Sequence, residues 1–124
     1  MKLFVTGIST NVGKTIASAI ITEALEADYW KALQSGDLHH TDSDKVRQLI
    51  SNPKSRIHPE SYRLQMPASP HASAAAEGIE LDLEQIKAPD TENHLVIEGA
   101  GGLLVPLTSS ATIADLILPE YKVI

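Results

Sequence analysis

The sequence predicts an α/β fold in which a mostly parallel sheet is flanked by helices. Short apolar, β-prone runs alternate along the chain with stretches of helical periodicity, and such alternation implies right-handed strand–helix–strand crossovers. Two of the strand candidates run directly into glycine-bearing loops. The unusual polar clusters lie just after strands, which is where an open α/β sheet binds its ligands, outside the carboxyl ends of its strands.

The elements follow in order. Lys2 to Thr6 reads as a short buried strand. It turns abruptly at Gly7, and Ile16, Ala17, Ile20, Ile21, Ala24 and Leu25 then recur at helical spacing, which predicts an amphipathic helix over residues 14–27. Asp28 to Gln34 reads as a second strand containing Tyr29 and Trp30, followed by a polar stretch from Ser35 to Ser43 that carries His39 and His40. Asp42-Ser43-Asp44 supplies N-cap chemistry for a helix through Val46, Leu49 and Ile50. Residues 51–71 contain Pro53, Pro59, Pro67 and Pro70 and are expected to be loop with at most short elements. Ala72 to Glu77 predicts a short helix ended by Gly78, and Leu83 with Ile86 a helical turn or two before Pro89. His94 to Glu98 is the third strand candidate and ends in Gly99-Ala100-Gly101-Gly102. Thr112 to Leu118 reads as a short helix stopped by Pro119, and Tyr121 to Ile124 as the start of a fourth strand. There is neither an internal repeat nor an interdomain linker, so residues 1–124 read as a single domain.

Composition narrows the function. With 43% hydrophobic and 21% charged residues, the chain can bury a core and is too apolar for a disordered segment. A net charge of −6 and no run of Lys or Arg argue against a nucleic-acid or anionic-membrane surface. No apolar run approaches the ~20 residues of a membrane span, and Met1 to Thr6 reaches a glycine too soon for a secretory signal. The absence of cysteine removes disulfides, thiolate nucleophiles and Cys-based zinc sites together. An acidic, cysteine-free chain of this kind is expected in the cytoplasm.

Two loops carry the chemistry. Gly7-Ile8-Ser9-Thr10-Asn11-Val12-Gly13-Lys14-Thr15 reads as a phosphate-binding loop of the G-x-x-x-x-G-K-[ST] type between a strand and a helix. Glycines let successive N–H groups turn inward as a nest for phosphate oxygens, and the following helix aims its positive end at the same place. Lys14 can reach the β- and γ-phosphates, and the Thr15 hydroxyl can ligate Mg²⁺. Glu98 ends an apolar strand, where a nucleotide-binding fold places an acid that holds Mg²⁺ directly or through water. A strand-end acid before a tight turn is the plainer reading of the same residue. Small residues after it let backbone approach a ligand closely. Lys31, inside the apolar run Tyr29 to Leu33, either emerges at a sheet edge or points into a site, and local pattern favours the edge. Asp42 is a good N-cap candidate, and that alone would explain it. His39 and His40 are expected to be solvated, since no cysteine accompanies them.

Five motifs in order resemble the dethiobiotin synthetase family: Gly7 to Thr15, then Trp30-Lys31-Ala32-Leu33-Gln34-Ser35-Gly36, Thr41-Asp42, Ser69-Pro70-His71, and Val96-Ile97-Glu98-Gly99-Ala100-Gly101-Gly102. Related nucleotide-dependent proteins that partition plasmids or position division sites carry a lysine early in the loop, where this chain has Ser9. The resemblance implies a P-loop nucleotide-binding fold and an ATP- and Mg²⁺-dependent ligase of biotin synthesis. Such a ligase joins CO2 to 7,8-diaminononanoate and closes the ureido ring of dethiobiotin, releasing ADP and phosphate, and acts as a homodimer. Carried over by motif, Lys14 and Lys31 flank the carbamate and the transferring phosphate, and Thr15, Asp42 and Glu98 hold Mg²⁺. Thr10 and Ser35 touch the diamine or its carbamate. Asn11, Val12, Gly13, Lys14, Thr15 and Ile16 line ATP, as do Asp42 and Glu98, while Gly99, Ala100 and Gly101 approach its phosphates. Ser69-Pro70-His71 matches a loop near the substrate.

The chain departs from the family in two places. Ala32 stands where the family usually has proline, which loses some rigidity but no reacting group. The family also continues through further strands and helices that recognise adenine and complete the substrate site across a dimer, so a C-terminally incomplete fold is expected. A related ATP-dependent amide-forming ligase of cofactor synthesis shares the phosphate loop and the Glu-Gly-Ala-Gly-Gly run. A non-catalytic nucleotide-binding remnant would retain them too.

Overall fold

A computed structural model describes residues 1–124. Strands β1 (Lys2–Val5), β2 (Asp28–Lys31), β4 (Ile57–His58), β6 (Leu95–Glu98) and β7 (Lys122–Val123) form one sheet in the order β4-β2-β6-β1-β7, and every pairing in it is parallel. Helices α1 (Lys14–Leu25) and α2 (Asp42–Leu49) make the crossovers from β1 to β2 and from β2 to β4, and they pack together on one face. Strands β3 (Leu33–Ser35) and β5 (Tyr62–Leu64) pair in parallel as a small second sheet, with helix α3 (Pro70–Ala76) against them. Single 3₁₀ turns at Leu83–Gln85 and Ile113–Leu116 take the places of the two further helical segments the sequence predicts.

Strand alternation divides the core in two. Leu3, Val5, Tyr29 and Val96 face Ala19 of α1 and Val46 of α2, while Phe4, Trp30, Leu95 and Ile97 face Leu81, Ile86, Ala74 and Ile113 on the other side. Both faces of β1, β2 and β6 are therefore buried, which is why these strands read as continuous apolar runs.

The expected α/β architecture with helices around a mostly parallel sheet is the observed one, and four details differ. The run Asp28 to Gln34 is two strands rather than one. At Ala32 the chain exchanges partners: its N–H donates to the Glu98 carbonyl at 3.4 Å and its carbonyl accepts from the Ser61 N–H at 3.0 Å. Beyond that point β6 has ended, so Leu33 to Ser35 pair with β5 instead. Seven strands form where four were expected, because the short β4, β5 and split β3 give no periodic signal of their own. The N-cap of α2 is Thr41, in a reciprocal capping box with Asp44, so Asp42 is the first helical residue and its carboxylate is free of capping. Finally, α1 lays Lys14, Ser18, Ala19 and Thr22 toward the sheet and leaves Ile16 and Ile20 55% and 63% exposed. Small side chains on that face let the helix sit close over the strand ends, so its apolar row is turned away from them.

Candidate active site

The site lies at the carboxyl ends of β1, β2 and β6, around a cavity of about 750 Å³. Gly13, left-handed at φ 98°, is the N-cap of α1 and supplies no side-chain bond to it, so the first N–H groups of the helix remain available to an anion. The loop is one residue longer than the G-x-x-x-x-G-K-[ST] pattern, since five residues, Ile8 to Val12, separate Gly7 from Gly13. Asn11 takes a left-handed φ of 56° within this longer turn. A second loop packs directly on the first. A Cβ on Gly102 would collide with the Ile8 carbonyl and stand 3.1 Å from the Ser9 nitrogen, and the Leu103 N–H donates to the Gly7 carbonyl at 2.9 Å. Only a residue without a side chain fits there.

Register decides what meets in the cavity. Lys31 and Glu98 are cross-strand partners at the ends of β2 and β6, on the face that carries α1 and α2. The Lys31 ammonium donates to the Gly99 carbonyl at 2.8 Å and pairs with Asp42 Oδ2 at 2.7 Å and Glu98 Oε1 at 3.4 Å. Strand β2 lies between β4 and β6, so the edge reading of Lys31 is overturned: the side chain is 4% exposed and points into the site. Thr15 Oγ1 donates to Glu98 Oε1 at 2.8 Å, and the Tyr29 hydroxyl donates to Glu98 Oε2 at 2.6 Å. The Lys14 ammonium donates to the Ser9 carbonyl at 2.7 Å, and Lys45 reaches Asp42 Oδ1 at 3.6 Å.

Electrostatics follow from this packing. Burial alone would pull the Lys31 pKa down, but the Glu98 and Asp42 carboxylates outweigh it and hold the pKa above its ordinary value. Burial likewise works against the Asp42 carboxylate, and Lys31 reverses that, leaving it below the usual range. Lys14 is pushed down, by burial first and by repulsion from Lys31 second. The Thr15 hydroxyl and the Asp42 and Glu98 carboxylates thus form a hard-oxygen set gathered on one buried ammonium, the kind of donors that suit a small hard cation. No group of three or more His, Cys, Asp or Glu side chains is placed to hold a metal ion. His40 contacts Gln48 Oε1 at 3.4 Å, and neither His39 nor His40 lines the cavity.

Of the residues singled out from sequence, Thr10, Asn11, Gly13, Lys14, Thr15, Ile16, Lys31, Ser35, Asp42, Glu98, Ala100 and Gly101 line this one cavity, and Ser69 and Pro70 join them. Val12 and Gly99 do not. Val12 packs its side chain against Gly7, and Gly99 continues the strand end, its N–H on the Val5 carbonyl at 3.1 Å. Ser35 places a buried hydroxyl with no partner at the cavity, a polar atom suited to a polar ligand. Sequence reasoning missed Gln34, Asp37, Lys45 and the Tyr29 hydroxyl. Lys45 was findable as the residue one helical turn beyond Asp42, and Tyr29 as the same-face neighbour of Lys31.

A family model described as "AAA domain" matches residues 1–118. The chain is 55% identical over 121 residues to a protein of Christiangramia forsetii, covering 98% of this chain and 58% of that one. It is 55% identical over 117 residues to a protein of Cytophaga hutchinsonii (94% and 56% covered) and 46% identical over 115 residues to one of Rhodopseudomonas palustris (93% and 54%). All three carry the curated name ATP-dependent dethiobiotin synthetase BioD, in agreement with the motif resemblance, and the chain spans about half the length of these relatives. With nearly every residue inside the matched region, the chain belongs to the AAA domain family.

Proposed function

We propose that this chain supplies the phosphate- and carbamate-handling half of an ATP-dependent dethiobiotin synthetase, with residues 1–124 acting as one ATP-binding domain. The observation that carries the reading is Lys31: a buried ammonium held between Asp42 and Glu98, beside the phosphate-loop Lys14. The curated names of the relatives support it. In the proposed reaction one amine of 7,8-diaminononanoate adds CO2 to form a carbamate. The γ-phosphoryl of ATP passes to a carbamate oxygen, and the second amine attacks the carbamate carbon and expels phosphate. Nucleophile and carbamate both belong to the substrate, so the protein's task is alignment and charge neutralisation. The N–H groups at the start of α1 and Lys14 hold the phosphates, as the nest geometry favours. Lys31 stands against the carbamate and the transferring phosphoryl group, and the unpartnered Ser35 hydroxyl, with Thr10, binds the diamine or its carbamate.

The Thr15, Asp42 and Glu98 oxygens fit Mg²⁺, which keeps several waters and needs few protein ligands. When bound, Mg²⁺ neutralises charge across the phosphate oxygens. A second copy of the chain is the partner that the family resemblance implies. We place the reaction in the cytoplasm, as the acidic, cysteine-free composition suggests; no helix of the structure is long and apolar enough to cross a membrane.

The test is direct. The intact protein, given ATP, Mg²⁺, bicarbonate and 7,8-diaminononanoate, is expected to form dethiobiotin with matching ADP release, and the Lys14→Ala variant is not. Nucleotide binding without product from the unaltered protein would overturn the catalytic reading.

A further inference from the structure

The two oxygens of Glu98 have different neighbours. Oε1 faces the cavity, where it accepts from Thr15 Oγ1 at 2.8 Å and pairs with Lys31 at 3.4 Å. Oε2 faces the core, where it accepts from the Tyr29 hydroxyl at 2.6 Å. The glutamate is 1% exposed and the tyrosine 0%, so water cannot substitute for the Tyr29 donor at Oε2. Parallel register produces the contact. Tyr29 pairs with Val96, and Lys31 with Glu98, all on one face of the sheet, so the phenol reaches from the β2 position behind Lys31 to the carboxylate one pair further on.

We propose that Tyr29 is a positioning residue for the metal–nucleotide site: by holding Glu98 Oε2 in the core, it presents Oε1 alone to the Thr15 hydroxyl and to the cation. This rests on the reading of the cavity as a Mg²⁺–nucleotide site. A phenylalanine would fill the same volume and remove only the donor. Oε2 would then lack a partner inside the core, and the carboxylate would relieve this by swinging further onto Lys31. That movement disturbs the Lys31–Asp42 pair and withdraws Oε1 from the place where Thr15 meets it. Partners that orient metal ligands are worth on the order of 10–100-fold in metal affinity.

The experiment is a Mg²⁺ titration of ATP binding by the intact protein, followed calorimetrically, for the unaltered protein, Tyr29→Phe and Val96→Ala. The midpoint in Mg²⁺ does not depend on what fraction of a variant is folded, so partial loss of stability leaves it readable. Tyr29→Phe is expected to raise the midpoint by about tenfold, with ATP affinity in EDTA unchanged. Val96→Ala, which opens the core beside Tyr29 without touching a Glu98 oxygen, is expected to keep the original midpoint. An unshifted midpoint in Tyr29→Phe, or an equal shift in Val96→Ala, overturns the assignment to Tyr29 while leaving the site reading intact. An unaltered protein that binds ATP equally well with and without Mg²⁺ overturns the site reading, and the role of Tyr29 with it.

Discussion

A lysine buried in a sheet is costly unless its charge is answered, and around Lys31 two carboxylates and a carbonyl answer it. Replacing it has two consequences that can be separated. On the proposed reading, Lys31→Ala would remove the ammonium from the carbamate and phosphoryl group but leave the phosphate loop untouched, so turnover is expected to fall by on the order of 10²–10³-fold, with ATP affinity changed far less. Steady-state kinetics beside equilibrium ATP binding check this, and a variant as active as the original would remove Lys31 from the chemistry. Gly102 makes its contribution by having no side chain. In Gly102→Ala the new methyl meets the Ile8 carbonyl, a backbone group that can yield only if the phosphate loop moves. Weaker binding of ATP is expected, by on the order of tenfold, the equivalent of ~1.4 kcal/mol, with the melting temperature altered less because the segment that must yield, Ile8 and Ser9, is exposed. Binding isotherms and thermal melts distinguish the two effects.

At the scale of elements, the start of α2 determines whether Asp42 can serve the site. Thr41 accepts from the Asp44 N–H at 3.1 Å, and Asp44 accepts from the Thr41 N–H at 2.9 Å. This reciprocal box leaves the Asp42 side chain free to turn toward Lys31. Thr41→Ala removes the cap and is expected to cost about 1 kcal/mol of stability, measurable by denaturant unfolding. It also frees Asp42 to compete for the vacant cap position, so Mg²⁺-dependent ATP binding is expected to weaken in the same variant; a stability loss with unchanged binding would show that Asp42 is placed by Lys31 alone. Local sequence located the helix but left Asp42 a cap candidate, with a metal role implied only by the family resemblance, because Asp-Ser-Asp and Thr-Asp-Ser-Asp offer several oxygens at adjacent positions and cap choice turns on the backbone geometry just before the helix.

At the scale of the whole molecule, the end of the sheet away from the cavity is tied together by Asp28. Its buried carboxylate accepts from Asn93 Nδ2 at 2.9 Å, Thr91 Oγ1 at 2.8 Å and the Arg56 N–H at 3.0 Å, and lies 2.8 Å from His58 Nε2. Burial works against the charged form, but these partners prevail and hold the pKa at about 2, below the ordinary 3.8. The sign follows: a carboxylate depressed by folding stabilises above its ordinary pKa and ceases to do so as pH falls through the folded value. Stability is therefore expected to be level above about pH 5 and to drop progressively from there to about pH 2, with Glu23, also held at about 2, below its ordinary 4.5, by Ser51 and Asn52, adding to the fall. Asp28→Asn should flatten part of that drop, and chemical denaturation at a series of pH values measures it; an identical acid profile in the variant would remove Asp28 from the linkage. Much of the architecture was legible from local signals. The phosphate loop sits between a strand and a helix, Glu98 ends an apolar run before small residues, and βα alternation implies a parallel sheet, because each of these depends only on residues near in sequence. What lay beyond reach was lateral. The order β4-β2-β6-β1-β7 places β2 inside the sheet, turning Lys31 from a candidate edge residue into a buried cation, and the register of β2 on β6 brings Tyr29 to Glu98. Sequence alone determined which chemical groups this protein carries and which strand ends they follow. Tertiary structure decided which of them touch, because strand neighbours are chosen by packing between segments far apart in the chain.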